Sequence, residues 1–242
     1  MSNENDSATT AASGKTKADW AILFDWDGVI IESAAAHEES WELLGRELGL
    51  TLPEGHFKRG FGMRNQSIIP DLLAWTHDIA EIERISLRKE ELYREVIRRS
   101  GVDTLPGVRE FLAALRENGV PCIIASSTVR LNITTTLEVL GIGSLFDGII
   151  SSEDVTKGKP NPEPFLKAAA RLGYAPERSV VFEDSFMGIT AGKAGGMKVV
   201  GVATTHPREV LEEIALPDRP DIVVTRLDEH SPAEYAQLLF GQ

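Results

Sequence analysis

Residues 20–30 read Trp-Ala-Ile-Leu-Phe-Asp-Trp-Asp-Gly-Val-Ile: five apolar residues that stop abruptly at Asp25-Trp26-Asp27-Gly28. A continuous apolar run of this length, without alternation, fits a strand buried on both faces. Similar runs recur at Cys122–Ala125, Gly148–Ile150, Val180–Phe182, Val199–Val202 and Ile222–Val224. Helical patterns lie between them. Val108–Glu117 sits between Pro106-Gly107 and Asn118-Gly119, Leu131–Leu140 closes on Gly141, and Glu163–Leu172 starts behind Pro162 and closes on Gly173. Strands alternating with helices at this spacing imply βαβ crossovers. The expected fold class is α/β, with a Rossmann-like parallel-sheet core covered on both faces.

Between about Ser33 and Thr104 that rhythm breaks. No convincing strand is present, but helical patterns occupy His37–Leu48, Ile68–Trp75 and Ile79–Arg99. In the last, Glu91 and Glu95 each lie about a turn from an arginine, which fits an exposed face laced by weak pairs. A helical block between the first two strands reads as an inserted cap domain, with Glu32–Ala36 and Asp103–Gly107 as its hinge strands. The expected division is a disordered tail over residues 1–18, a catalytic core over 19–32 and 105–242, and a helical cap over 33–104.

The 242 residues are 42% hydrophobic and 26% charged, enough to bury a core and inconsistent with disorder or a fibrous repeat. The net charge of −12 repels phosphate backbones, which argues against a nucleic-acid partner. No apolar run approaches the ~20 residues of a membrane span, so no membrane partner is expected. The lone cysteine, Cys122, excludes a disulfide framework and a thiolate zinc site; inside an apolar strand it reads as an inert core thiol. Residues 1–18 lack the apolar segment of a signal peptide, and Glu4 and Asp6 speak against a transit peptide. A cytoplasmic enzyme is expected, as a monomer or alternatively a dimer.

In an open parallel sheet, ligands bind outside the carboxyl ends of the strands. The first strand ends in Asp25 and Asp27, the second in Ser126-Ser127 and the fourth in Glu183-Asp184, while Lys157-Gly158-Lys159-Pro160 precedes a helix. Four carboxylates on one sheet edge repel unless a cation shares the site. Oxygen ligands without a nearby His or Cys cluster point to Mg²⁺. A single Asp at a strand end is usually a cap; acids at two strand ends, two of them spaced D-x-D before a glycine, point to function.

These segments, Asp25-Trp26-Asp27-Gly28-Val29-Ile30, Ser126, Lys159-Pro160-Asn161-Pro162 and Val181-Phe182-Glu183-Asp184-Ser185, resemble the four ordered motifs of the haloacid-dehalogenase-like (HAD) superfamily. The tract Glu183–Met197 is especially similar to the group that contains β-phosphoglucomutase and sugar-phosphate phosphatases. Trp26 departs from the usual Phe, Leu or Met, a matter of packing rather than chemistry. The resemblance implies phosphoryl transfer. Asp25 would be the nucleophile that forms an aspartyl-phosphate. Asp27 would be the general acid and base, and would also lend its backbone carbonyl to the metal. Asp25, Asp27, Glu183 and Asp184 form the implied metal set for Mg²⁺. Ser126 and Ser127 would bind the phosphoryl group, and Lys159 would neutralise it while pairing with Asp25. Lys157 reads as a solvated loop residue. An acid at Asp27 implies transfer of phosphate between oxygens rather than dehalogenation or phosphonate cleavage.

Substrate choice is expected in the cap. His37 resembles a histidine that follows the hinge in mutases and related phosphatases, and Gly60-Phe61-Gly62-Met63-Arg64-Asn65 resembles a loop whose arginine meets the polar end of a substrate. Trp41, Trp75 and Tyr93 fit a cap core. Gly188–Lys193 has the wrong glycine spacing for a Walker loop, and His37-Glu38-Glu39 lacks the second histidine of a zincin. The leading expectation is a Mg²⁺-dependent phosphatase of a small phosphorylated metabolite, a sugar phosphate first. A β-phosphoglucomutase-like mutase and a catalytically idle binding protein are the alternatives. Glu32 in the hinge and Ala34–Ala36 before His37 favour a loosely gated site in which water, rather than a sugar hydroxyl, takes the phosphate.

Overall fold

The computed structural model describes residues 17–60 and 63–242. The expectation for the N-terminal tail lies almost wholly outside these residues, as do Phe61 and Gly62 of the cap loop. Among the described residues six parallel strands, β1 (Ala21–Phe24), β2 (Cys122–Ala125), β3 (Ile149–Ile150), β4 (Ser179–Glu183), β5 (Lys198–Val202) and β6 (Ile222–Val224), form one sheet in the order β3-β2-β1-β4-β5-β6. Every strand pairing is parallel. The chain therefore winds outward from β1 in both directions, and the central strands β1 and β4 have no solvent-facing residue.

Helices accompany the sheet on both faces. Between β1 and β2 run α1 (Ala34–Leu48), α2 (His56–Gly60), α3 (Asn65–Ser67), α4 (Ile79–Ser100) and α5 (Val108–Glu117). After β2 come α6 (Arg130–Leu140), α7 (Glu163–Leu172), α8 (Phe186–Ala194), α9 (Arg208–Glu212) and α10 (Pro232–Phe240). The period-2 alternation of a strand sorts its side chains between two cores. Ile22, Phe24, Val180 and Phe182 pack with Phe111 of α5, Ile133 of α6 and Tyr235 of α10. Leu23, Val181 and Val199 pack on the other face with Phe165 of α7 and Ile189 of α8. Trp26 is fully buried and meets Phe146 edge-on at 6.2 Å, so it acts in packing. Cys122 is fully buried in β2; its thiol donates to the Leu145 carbonyl at 3.3 Å, and burial pushes its pKa up to about 12.

The block between β1 and α5 has its own core, in which Trp41 and Leu44 of α1 meet Ile68, Ile69, Leu73, Ile85 and Leu92. Its tether uses the expected second passage, Asp103–Gly107, with Glu32 N donating to Asp103 O at 3.4 Å, but the first passage ends earlier than expected. Helix α1 already starts at Ala34, and the two chain passages meet further back: Leu105 N donates to Ile30 O at 2.9 Å and Ile31 bridges Thr104. The expected helix Ile68–Trp75 is a π-turn over Ile68–Leu72, where Leu73 N reaches back five residues to Ile68 O. Pro70 has no N–H to give, which favours such a turn over a regular helix. On α4, Glu91 and Glu95 converge on one residue, Arg88, which also holds Glu47 of α1 at 2.7 Å. No helix among the described residues is long and apolar enough to cross a membrane.

Candidate active site

Strands β1 and β4 pair with Phe24 opposite Phe182, so the next residues, Asp25 and Glu183, stand side by side at the carboxyl edge of the sheet, Glu183 still paired with Gly201 of β5. Asp25 N donates to Phe182 O at 3.0 Å, extending the ladder by one rung into the site. Asp25, Glu183 and Asp184 offer carboxylate oxygens that all lie within 4.8 Å of one another, and all three residues are buried. A lysine answers them. Lys159 Nζ donates at 2.6 Å to both Asp25 Oδ1 and Glu183 Oε1. The other Glu183 oxygen accepts from Ser185 N and Ser185 Oγ, each at 2.9 Å, so Glu183 is occupied in orienting Lys159 and the start of α8. Asp184 accepts from the Thr205 hydroxyl.

Burial raises the Asp25 carboxyl to about 7, against the opposing pull of Lys159. Burial, with Glu183 and Asp25 as like charges, raises Asp184 to about 8. Burial would lower Lys159, but Asp25 and Glu183 hold it above the ordinary lysine range. Three carboxylates facing one ammonium leave uncompensated negative charge, and the donors are all oxygen. That set fits a hard divalent cation such as Mg²⁺. Asp25, Glu183 and Asp184 each bring an oxygen to it, and both Glu183 oxygens also accept hydrogen bonds, one from Lys159 and one from Ser185. Gly28 makes room for this cluster: at φ +79°, an added Cβ would run into the Asp184 carboxylate.

Asp27 stands outside that carboxylate cluster and serves other partners. Its Oδ1 accepts from Ser33 Oγ at 2.5 Å and lies 3.8 Å from His37 Nε2, while Oδ2 accepts from Thr128 Oγ1 at 2.7 Å. Burial alone would raise this carboxyl; His37, then Ser33 and Thr128, outweigh it and hold the group at about 2. His37 is itself fixed. Its ring stacks on Tyr93 at 4.1 Å, and Lys89 Nζ donates to Nδ1 at 2.7 Å. An ammonium donating to Nδ1 leaves the ring hydrogen on Nε2, the nitrogen nearest Asp27. Tyr93 is buried in this stack and is not among the residues of the cap core around Trp41 and Leu44.

Ser126 is buried at the end of β2, where its Oγ accepts from Thr128 N at 3.1 Å; Ser127 is exposed on the same turn. Helix α6 begins only at Arg130 with Val129 at its N-cap, so Ser126 is not a helix cap. Arg64 is exposed, but its guanidinium lies against the loop that carries Lys159: an added Cβ on Gly158 would come within 2.5 Å of Arg64 Nη2. Lys157 is exposed. The structure thus gathers Asp25, Lys159, Glu183 and Asp184, sets Asp27 and His37 beside them, and brings Arg64 to the edge. Sequence reading missed Thr128, Thr205 and Lys89. Thr128 was within reach, two residues after Ser126; Thr205 comes from the loop after β5 and Lys89 from mid-helix, where nothing local marks them.

The family model described as haloacid dehalogenase-like hydrolase matches residues 21–196. A chloroplastic 5-amino-6-(5-phospho-D-ribitylamino)uracil phosphatase of Arabidopsis thaliana is 36% identical over 219 residues, 89% of this chain and 57% of its own length. A validoxylamine A 7'-phosphate phosphatase of Streptomyces hygroscopicus subsp. limoneus is 31% identical, over 79% of this chain and 89% of its own. Among solved structures, a family IA, variant 3 HAD hydrolase from Entamoeba histolytica superposes with a TM-score of 0.81 at 27% identity, over 91% of this chain and 99% of its own. A β-phosphoglucomutase from Clostridium difficile gives 0.76 at 25% identity, over 90% and 96%.

Proposed function

This chain belongs to the haloacid dehalogenase-like hydrolases, and from that premise we propose that it is a Mg²⁺-dependent phosphatase of a small phosphorylated metabolite, a sugar phosphate first, working through an aspartyl-phosphate on Asp25. Residues 33–104 are its cap, and 19–32 with 105–242 its core. The observation that carries the reading is the Asp25–Lys159–Glu183 arrangement with Asp184 beside it, a nucleophile aligned by a buried cation at the end of a central strand.

Asp25 Oδ attacks phosphorus as the ester P–O bond breaks, and Asp27 gives its proton to the leaving oxygen. Water then attacks the phospho-aspartate, Asp27 takes the proton, and inorganic phosphate leaves with Asp25 restored. Lys159 and the hydroxyl of Ser126 bind phosphoryl oxygens, with Ser127 at the rim. Mg²⁺ held by Asp25, Asp184 and the Asp27 carbonyl would neutralise charge between nucleophile and phosphate. As found, Asp27 is ionised and held by Ser33, His37 and Thr128, so its acid role requires a proton and release from those bonds. Arg64 and His37 face the substrate from the cap.

A phosphomutase is the second reading, and the restraint of Asp27 by the hinge residue Ser33 favours it, because slow hydrolysis of a phospho-enzyme needs a base kept out of reach. Phosphatase is preferred: the two relatives above that exceed 30% identity both carry that name. The 5-phosphoribityl compound named for the plant relative belongs on the test panel with the sugar phosphates. Purified protein with Mg²⁺ is expected to release inorganic phosphate from at least one panel member, and to lose this with chelator. Conversion of β-glucose 1-phosphate to glucose 6-phosphate without free phosphate, given catalytic 1,6-bisphosphate, would establish the mutase instead.

A further inference from the structure

Helix α4 of the inserted block lies along α6 of the core, and the seam between them holds a polar cluster that the chemistry above does not use. Asn132 of α6 is 1% exposed, and the Glu90 side chain of α4 is 15% exposed. Asn132 Nδ2 donates to Glu90 Oε2 at 2.5 Å, and Asn132 Oδ1 accepts from Arg94 Nη1 at 2.8 Å, one turn further along α4. A core amide is thus gripped at both ends by the cap helix. The other Glu90 oxygen accepts from Asn65 Nδ2 at 2.7 Å and from Lys89 Nζ at 3.2 Å. Asn65 is the residue after Arg64 and donates also to Ser86, at 3.0 Å. Lys89 is the donor to His37.

We propose that Glu90 is a positioning residue that senses the seating of the cap: by gripping Asn132 of the core, it fixes the Arg64 loop through Asn65 and the His37 side chain through Lys89. The proposal rests on the phosphatase reading for its kinetic consequence and on geometry alone for the grip. Its logic is one of donors and acceptors. Three donors converge on Glu90, and a carboxylate accepts them all, whereas a glutamine has one oxygen and brings an NH₂. Asn132 cannot rotate its amide to meet that NH₂, because its oxygen is already committed to Arg94. Packing alone would tolerate such an isosteric change. A buried polar contact with mismatched donors does not.

The same accounting supplies the test. In Glu90→Gln two amide NH₂ groups face each other; in Asn132→Asp two carboxylates do. With both changes together, the introduced glutamine donates to the introduced aspartate, and that aspartate still accepts from Arg94. The glutamine oxygen still accepts from Asn65 and Lys89. Glu90→Gln is expected to lower kcat/KM for the metabolite found by the panel on the order of tenfold, and the double variant to return within about threefold of wild type, a coupling of ordinary size for neighbours. Loss with p-nitrophenyl phosphate should be smaller, since that ester barely touches the cap. Amide exchange over residues 86–94 and 130–135 should quicken in both single variants and slow again in the double.

Wild-type kinetics and protection in Glu90→Gln, equal losses for both esters, or a double variant no better than the single would overturn the role. Should wild type hydrolyse no phosphate ester, the phosphatase reading falls; the exchange comparison then decides the grip by itself, with restored protection in the double supporting it and unrestored protection refuting it.

Discussion

Asp25 and Asp27 stand two residues apart, yet their surroundings push them in opposite directions, Asp25 up to about 7 and Asp27 down to about 2. At Asp25 burial prevails over the pull of Lys159, with Glu183 adding to the rise, whereas at Asp27 the hydrogen bonds and charge of His37, with Ser33 and Thr128, outweigh burial. Gly158 is the residue whose substitution isolates Arg64. Alanine there would drive a methyl into the guanidinium, so Gly158→Ala should lower kcat/KM for the metabolite about tenfold while affecting p-nitrophenyl phosphate less. In an Arg64→Ala background the same change should cost nothing further, a double-mutant cycle that additive losses would contradict. The acids and Lys159 were legible because each sits at a strand end or in a motif with fixed spacing. Thr205 and Lys89 were not, because tertiary contact alone brings them to the acid and the histidine they serve; Thr128, two residues after Ser126, lay within reach of its motif.

Among elements, the strands were read almost to the residue, since runs buried on both faces leave no ambiguity of period. The π-turn and the extent of the tether's first passage were misread, the one through Pro70 and the other because α1 starts three residues before its amphipathic pattern shows. Helices α2, α3, α8, α9 and α10 went unnoticed, none of them longer than nine residues. The inserted helices hold together through Trp41, Leu44, Ile85 and Leu92, a cluster separate from both sheet cores. Leu44→Ala should cost ~2–5 kcal/mol in that cluster. Hydrogen exchange should show amides of α1 and α4 opening sooner, with β1 and β4 protected as before. Equal loss across the molecule would mean that cap and core unfold as one unit.

For the whole molecule, the buried acids make stability depend on pH and metal together. Asp25 and Asp184 have raised carboxyls, so their contribution is fully present below the ordinary carboxylate range and is lost as pH rises through about 7 and about 8. Asp27 acts with the opposite sign, but only as pH falls through about 2. Metal-free protein should therefore melt lower at about pH 8 than at about pH 5, and the rise in Tm on adding Mg²⁺ should be larger at the higher pH. A Mg²⁺ effect independent of pH would contradict the assignment of Asp25 and Asp184 as its ligands. The sheet carries one more consequence, through Cys122, sealed in β2 with its thiol donating to a carbonyl. The native protein offers no thiol that a reagent can reach while it stays folded. It is a blank background for chemical labelling: a fluorophore pair on cysteines introduced either side of the α4–α6 seam would report the distance across it with the native thiol left in place.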